Sequence, residues 1–247
     1  MSAKIRADQL LVLKGYVRSR TEAKAFIIAG KVSVNSQTVL KPGTLLSEDV
    51  ELELKGKKPF VSRGGEKLSG ALSCFGEDPN SKVVMDIGAS TGGFTDCLLQ
   101  HGAVKVYAVD VGYGQLDYAL RTDPRVICIE RKNARYLEKN DIGESVDLIT
   151  IDVSFISLTK ILPAMLPLLK EGAKVIALVK PQFEVGQEHV GKGGVVREEH
   201  RRLEALSHIR DFALSIGMTV LGDMVSPLQG PAGNFEYFLY LEKKTVS

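Results

Sequence analysis

Two apolar runs in the carboxyl-terminal half of the chain end in opposite charges. Val146-Asp147-Leu148-Ile149-Thr150-Ile151 leads into Asp152, and Val175-Ile176-Ala177-Leu178-Val179 leads into Lys180. If both runs are strands of one sheet, each charge stands at a strand end facing a cleft. A lysine capping a buried strand needs a partner, and Asp152 is the neighbouring acid. Glu236, in Asn234-Phe235-Glu236-Tyr237-Phe238, opens the last strand-like run, and Lys67 lies on a helix-like stretch ahead of the first. Lysines set among carboxylates are proton-handling groups. An amine beside a second cation holds its proton less tightly, so it can take one from a weak acid or steady a developing oxyanion. For Lys67 and Glu236 the competing reading is a pair of ordinary surface charges.

A second constellation lies around Val83-Val84-Met85-Asp86-Ile87-Gly88-Ala89-Ser90-Thr91-Gly92-Gly93-Phe94. An apolar run, a glycine-rich turn and a helix start form the layout by which doubly wound sheets hold a nucleotide-like ligand at the end of the first strand. The G-x-G-x-x-G spacing of dinucleotide sites is not met, because Ser90 stands where the second glycine would be. No Gly-Lys-Ser/Thr follows for a nucleoside triphosphate.

The elements that must position these residues alternate. Strands are expected over 82–88, 105–111, 126–130, 146–153, 174–180, 218–225 and 236–242, with helices over 66–72, 93–101, 156–169 and 197–215. Alternating β and α predicts an α/β, doubly wound, mostly parallel sheet, and the apolar runs suit strands covered on both faces. Only the loop 226–235 separates the last two strands, so they are expected to pair antiparallel. A Rossmann-like sheet ending in this way is the arrangement of methyltransferases that use S-adenosylmethionine.

That cofactor carries no phosphate, so its turn can be built differently. The residues expected to bind it are Asp86, Gly88, Ser90, Thr91, Gly92, Gly93, Phe94, Asp110, Asn133 and Asp152. Asp86 is placed for the ammonium group, directly or through water. Asp110, closing the second strand, can accept both ribose hydroxyls. Asn133, past the third, can bond the adenine edge. The alternatives are that Asp110 caps a turn and Asn133 satisfies its own loop. No metal site is expected.

Residues 1–58 carry 11 Lys/Arg against 6 Asp/Glu, a net of +5, whereas 59–247 carry 21 against 24, a net of −3. Two short helical patterns and three strand-like runs make the first segment a small α+β unit. Its Arg6, Arg18, Arg20, Lys24 and Lys31 fall on or beside the helices and their turn. Arg6-Ala7-Asp8-Gln9-Leu10-Leu11-Val12, Val17-Arg18-Ser19-Arg20-Thr21-Glu22-Ala23, Gly30-Lys31-Val32-Ser33-Val34-Asn35 and Lys41-Pro42-Gly43 occur in that order. Together they resemble the S4-type RNA-binding domain. The resemblance implies that the five basic residues meet structured RNA through phosphate and shape contacts. Lys55-Gly56-Lys57-Lys58-Pro59 marks the boundary. The expected division is 1–58 for this domain, 59–65 for a linker and 66–247 for the larger domain.

The order Lys67, Asp152, Lys180, Glu236 resembles the Lys-Asp-Lys-Glu tetrad of FtsJ-like ribose 2'-O-methyltransferases. With the S4-type unit in front, the chain looks like the TlyA/haemolysin-A family of rRNA 2'-O-methyltransferases. The match is carried by Val61-Ser62-Arg63-Gly64-Gly65-Glu66-Lys67-Leu68, Asp86 to Asp96, Asp152-Val153-Ser154-Phe155-Ile156-Ser157 and Lys180-Pro181-Gln182-Phe183-Glu184. The resemblance implies S-adenosylmethionine as cofactor and RNA as partner, most readily rRNA in ribosomal subunits, with no DNA or membrane. It also implies that Lys180 is the principal catalytic lysine, that Asp152 and Glu236 orient the lysines, and that Lys67 is the second cation. Two other readings stand beside it: a membrane-acting cytolysin, which the family name evokes, and an RNA-binding protein that has kept the fold without the activity.

Val185 to Gly194 is rich in glycine and either closes over the substrate or is a plain loop. Arg197, His200, Arg201 and Arg202 read best as a solvated helix face. Cys74, Cys97 and Cys128 fit neither a disulfide framework nor a metal spacing, and residues 1–8 lack the apolar core of a signal peptide. No apolar run approaches the roughly 20 residues of a membrane span. The expected location is the cytoplasm, and oligomeric state is left open.

Overall fold

The structure, a computed structural model, describes residues 4–17, 19–56 and 59–245, and the chain divides into two units, Met1–Lys58 and Pro59–Ser247. In the first, short amphipathic stretches give β1 (Lys4–Arg6), α1 (Ala7–Leu13), α2 (Arg20–Ile28), β2 (Val32–Val34), β3 (Gln37–Thr38), β4 (Leu45–Ser47) and β5 (Leu52–Leu54). β2 lies between β3 and β5, and β1 pairs with β4, all antiparallel. Leu10, Leu11, Ala23, Ile27, Val32 and Leu52 are among the side chains closing its core. Ser19 caps α2 by accepting from the Glu22 backbone N–H at 3.2 Å, as its residue type predicts. β1 and β4 are absent from the sequence expectation.

The second unit opens with α3 (Arg63–Phe75), so the expected linker 59–65 already contains the first helical turn. Ser62 accepts from the Gly64 N–H at 3.3 Å, which starts the helix ahead of its apolar face. The strands are β6 (Val83–Ile87), β7 (Lys105–Val109), β8 (Val126–Ile129), β9 (Val146–Ile151), β10 (Leu169–Val179), β11 (Met218–Val225) and β12 (Tyr237–Lys243). Between them lie α4 (Gly93–Gln100), α5 (Tyr118–Arg121), α6 (Lys139–Ile142), α7 (Leu162–Met165) and α8 (Glu199–Ser215). The sheet order is β11-β12-β10-β9-β6-β7-β8. β6 to β10 run parallel, and β12 pairs antiparallel with both β10 and β11.

The helix expected over 156–169 does not form as one piece. Leu158–Lys160 and Leu166–Leu168 are 3-10 turns flanking α7, and β10 begins at Leu169. Pro163 and Pro167 account for this, since each lacks the N–H that would continue an α-helix and stands in the first turn of its own short helix.

Two apolar layers cover the sheet. Leu68, Leu72, Phe94 and Leu98 of α3 and α4 pack with Val84, Leu148, Ile176 and Phe238. Leu162, Leu206 and Ile209 of α7 and α8 pack with Met85, Ile87, Ile149, Val175 and Leu239. Neighbouring strand residues thus face opposite layers. The chain steps from β6 outward to β7 and β8, then returns to β9 and β10 on the other side. The order therefore reverses between β6 and β9, and ligands of doubly wound sheets bind in the crevice at that place. No helix among the described residues is long and apolar enough to cross a membrane.

Candidate active site

A cavity of about 590 Å³ lies at this crevice. Its lining includes Ser62, Arg63, Gly64 and Lys67 from the start of α3, Gly88 to Thr91, Gly93 and Phe94 after β6, and Asp152, Ser154 and Phe155 after β9. Lys180, Gln182 and Phe183 after β10, with Asn234 and Glu236 before β12, complete much of the rest. Because β12 is antiparallel, its first residue meets the carboxyl end of β10, with Tyr237 opposite Val179. Glu236 and Lys180 are thereby brought to one edge of the sheet.

The four charged residues stand as two ion pairs. Lys67 Nζ is 2.5 Å from Glu236 Oε2, with both side chains almost fully buried. Lys180 Nζ is 2.6 Å from Asp152 Oδ1 and donates to Ser154 Oγ at 2.9 Å. The expected Asp152–Lys180 partnership is present, and Lys67 and Glu236 are paired in the interior rather than solvated on the surface.

The glycine turn is fixed by sterics. Gly88 has φ +83°, and a Cβ there would lie 2.5 Å from the Asp152 carbonyl oxygen. Gly92, the residue before α4, has φ +95°, and a Cβ there would lie 2.2 Å from Leu120 Cδ1. Side chains at these two positions would force the strand ends apart or push the turn off its helix.

Four expected cofactor residues sit elsewhere than on this cavity. Asp86 is fully buried and outside the lining, one residue before the end of β6 on the face covered by α4. There it accepts from Thr95 Oγ1 at 2.7 Å and from Thr150 Oγ1 at 3.3 Å. Burial pushes its carboxyl up to about 7, and the Thr95 hydrogen bond opposes that rise. Asp110 lines a small neighbouring pocket with Ala89, Ser90, Gln115, Cys128 and Glu130. Its two oxygens accept from the Ser90 and Gly112 N–H groups, each at 2.7 Å, so it braces the glycine turn. Asn133 is exposed and accepts from the Arg135 N–H at 3.0 Å, which is the local capping role weighed against adenine contact. Gly92 shapes the turn without lining the cavity.

Other residues join the site without having been singled out. Phe155 is 91% exposed at the rim, in a left-handed conformation with φ 64°, and tilts against Phe183 at 5.0 Å between ring centroids. Asn234 is buried, accepts from the Val196 N–H at 3.0 Å and donates to the Gly194 carbonyl at 2.8 Å. It fixes the end of the glycine-rich loop, whose Val190, Gly193 and Gly194 form part of the cavity wall. Glu184 accepts from the Leu158 N–H at 2.9 Å, and burial pushes its carboxyl up to about 7. Ser154 and Phe155 adjoin Asp152 at a strand end, a position that is itself a sequence signal. Asn234 and Glu184 act on segments 40 and 26 residues away, which no local pattern announces.

In the first unit, Asp8 is fully buried and binds two arginines. Arg6 Nε donates to Oδ1 at 3.0 Å, and Arg20 Nη2 donates to Oδ2 at 3.1 Å. Both guanidiniums keep roughly half of their side-chain surface in solvent. Lys24 and Lys31 are exposed, and Lys31 Nζ lies 5.8 Å from the centre of the Phe26 ring. Arg18 lies outside the described residues. Among those residues, no cluster of three His, Cys, Asp or Glu side chains forms a metal site.

A mostly parallel sheet closed by an antiparallel pair, with its cavity at the reversal of strand order, is the Rossmann-like methyltransferase class. The family model of FtsJ-like methyltransferases matches residues 60–243, and that of the S4 domain matches residues 5–52. The chain belongs to the FtsJ-like methyltransferase family. It is 45% identical to the 16S/23S rRNA (cytidine-2'-O)-methyltransferase TlyA of Mycobacterium tuberculosis, over 99% of this chain and 92% of that one. It is 40% identical to hemolysin A of Brachyspira hyodysenteriae, over 96% of this chain and 99% of that one. A solved structure from Streptococcus thermophilus superimposes with a TM-score of 0.74 at 45% identity, covering 99% of this chain and 90% of the other.

Proposed function

We propose that this chain transfers a methyl group from S-adenosylmethionine to a ribose 2'-hydroxyl of rRNA. The observation that carries the reading is the meeting of two lysine–carboxylate pairs with a glycine turn around one cavity at the reversal of strand order. The cavity is of the size that holds a cofactor-sized molecule. Gly88 lets the turn pass against the Asp152 carbonyl, which keeps it at the strand ends where it lines the cavity. Gly88, Ser90, Thr91, Gly93 and Phe94 would hold the cofactor, with Asp110 fixing the turn from behind. When bound, S-adenosylmethionine supplies an electrophilic methyl whose carbon–sulfur electron pair leaves on sulfur, so the positive charge lost there reappears on the group that accepts the hydroxyl proton.

A ribose hydroxyl is a poor nucleophile at neutral pH, so its proton must be received as the new bond forms. Lys180 is the residue for that role. It faces the cavity, and its side chain is held by Asp152 and Ser154. Lys67, locked to Glu236, forms a rigid wall that keeps a second cation beside the reaction. Phe155 offers an open aromatic face on which the target base can stack, and holding the nucleotide in place is itself a large part of catalysis. Arg6, Arg18, Arg20, Lys24 and Lys31 of the S4 domain would grip the RNA backbone. The name of the tuberculosis relative favours cytidine in 16S or 23S rRNA as the target.

The test is methyl transfer from radiolabelled S-adenosylmethionine to isolated ribosomal subunits, with 2'-O-methyl riboses mapped in the product. Labelled ribose with the native chain and none with Lys180→Ala is expected. Label on a base, or no label on either subunit from the native chain, overturns the reading.

A further inference from the structure

Lys180 can receive a proton only if its lone pair points at the substrate, and that is a question of orientation. A neutral lysine amine bears two hydrogens and one lone pair on a freely rotating tetrahedral nitrogen. In this structure Lys180 Nζ donates to Ser154 Oγ at 2.9 Å and lies 2.6 Å from Asp152 Oδ1, a charge pairing without the alignment of a hydrogen bond. With one N–H held by Ser154, two tetrahedral directions remain for the lone pair, and the Asp152 carboxylate disfavours the one that faces it. With Asp152 alone, no hydrogen bond would fix the rotation of the amine.

We propose that Ser154 is a positioning residue for methyl transfer, holding one N–H of Lys180 so that the amine's lone pair faces the cavity. This rests on Lys180 being the proton acceptor.

Two further observations agree. Ser154 is exposed and lines the cavity, so its side chain fills no core space, and the hydroxyl's described partner is the lysine. The residue after it, Phe155, takes a left-handed conformation that side chains with a Cβ adopt at an energetic cost. That turn lets one short segment present Asp152 and Ser154 to the same nitrogen while Phe155 faces outward.

The experiment compares Ser154→Ala and Ser154→Thr with the native chain and with Lys180→Ala. Rates are measured on ribosomal subunits, cofactor affinity by calorimetry, and Lys180 by the proton–nitrogen NMR signal of its side chain without cofactor. Losing one hydrogen bond of ordinary strength predicts about a tenfold fall in kcat for Ser154→Ala. KM for the subunit, cofactor affinity and melting temperature should stay unchanged. Ser154→Thr should restore the rate, and the Lys180 signal, assigned by its absence from Lys180→Ala, should broaden in Ser154→Ala alone. Native kcat in Ser154→Ala with an inactive Lys180→Ala overturns the proposal and leaves the methyltransferase reading standing. A fall in kcat with an unchanged lysine signal overturns it too, as does failure of the threonine to rescue. Full activity in Lys180→Ala removes its foundation, and a native chain that labels no ribose defeats the functional reading instead.

Discussion

Lys67 Nζ lies 2.5 Å from Glu236 Oε2, with only 7% and 1% of the two side chains exposed. A pair so enclosed is costly to break, because the remaining partner keeps its charge without water. Glu236→Ala is therefore expected to lower stability by about 3–5 kcal/mol. The double variant Lys67→Met/Glu236→Leu should recover most of that loss, since apolar replacement removes both charges. Urea denaturation followed by circular dichroism checks both.

Lys180 is tested apart from binding. Lys180→Ala should lower kcat by about 10²- to 10⁴-fold, the usual worth of a positioned acid–base group. Cofactor affinity measured by calorimetry should change little, because the glycine turn does not depend on that side chain.

The buried Asp86 carries a pH signature. In the folded chain its carboxyl is raised to about 7, above its ordinary value of 3.8, so folding favours the protonated form. The associated stability is present in full below pH 3.8 and is lost as pH climbs through 7. It amounts to about 4 kcal/mol over the whole range. Asp86→Asn should remove this dependence, leaving a shallower decline between pH 4 and 8. Glu184, raised in the same direction, still contributes to that decline. Urea midpoints across this range give the comparison, and parallel curves for the two proteins would show that Asp86 stays ionised throughout.

Gly88→Ala places a methyl group where the Asp152 carbonyl already stands, on a backbone with positive φ. The conformation alone costs about 1–2 kcal/mol. Displacement of the Asp152 segment should also abolish cofactor binding, a loss that calorimetry would register while the melting temperature falls by several degrees.

For the RNA contacts, salt dependence is the sharper readout. Arg20→Ala should weaken binding to ribosomal subunits and reduce the slope of log affinity against log salt by about 1. Asp8→Asn should weaken binding while leaving the number of cations unchanged, because Asp8 holds both Arg6 and Arg20 in place.

The sheet is legible because three of its strands contain almost wholly apolar runs, and because charged residues directly after such runs must surface at one edge. That logic places Asp152 and Lys180 together, whereas Glu236 and Lys67 follow no such run and join them through the resemblance. The same pattern also puts Asp86 inside the sheet. Asp86 precedes the strand's last residue, Ile87, and so belongs to the face of Val84, under α4, rather than to the edge. Asn133 was assigned by its place past the third strand, yet its side chain is engaged two residues along its own loop. Pro163 and Pro167 were outweighed by the apolar residues around them, so a broken segment reads as one helix. Ser154 and Asn234 depend on contacts across 26 and 40 residues, which only the folded sheet supplies.

β12, the last strand in the chain, is inserted between β10 and β11 and carries Glu236 to the cavity. A protein emerges from synthesis in order, at roughly 5–20 residues per second, and its domains fold as units as they appear. The S4 domain closes on contacts within its own first fifty-odd residues, whereas Lys67 must wait for a partner 169 positions later. At that pace the first unit can close some 9–40 seconds, roughly, before Lys67 meets Glu236. Each newly made molecule thus passes through a stage in which its S4 domain is folded while the cavity still lacks one wall.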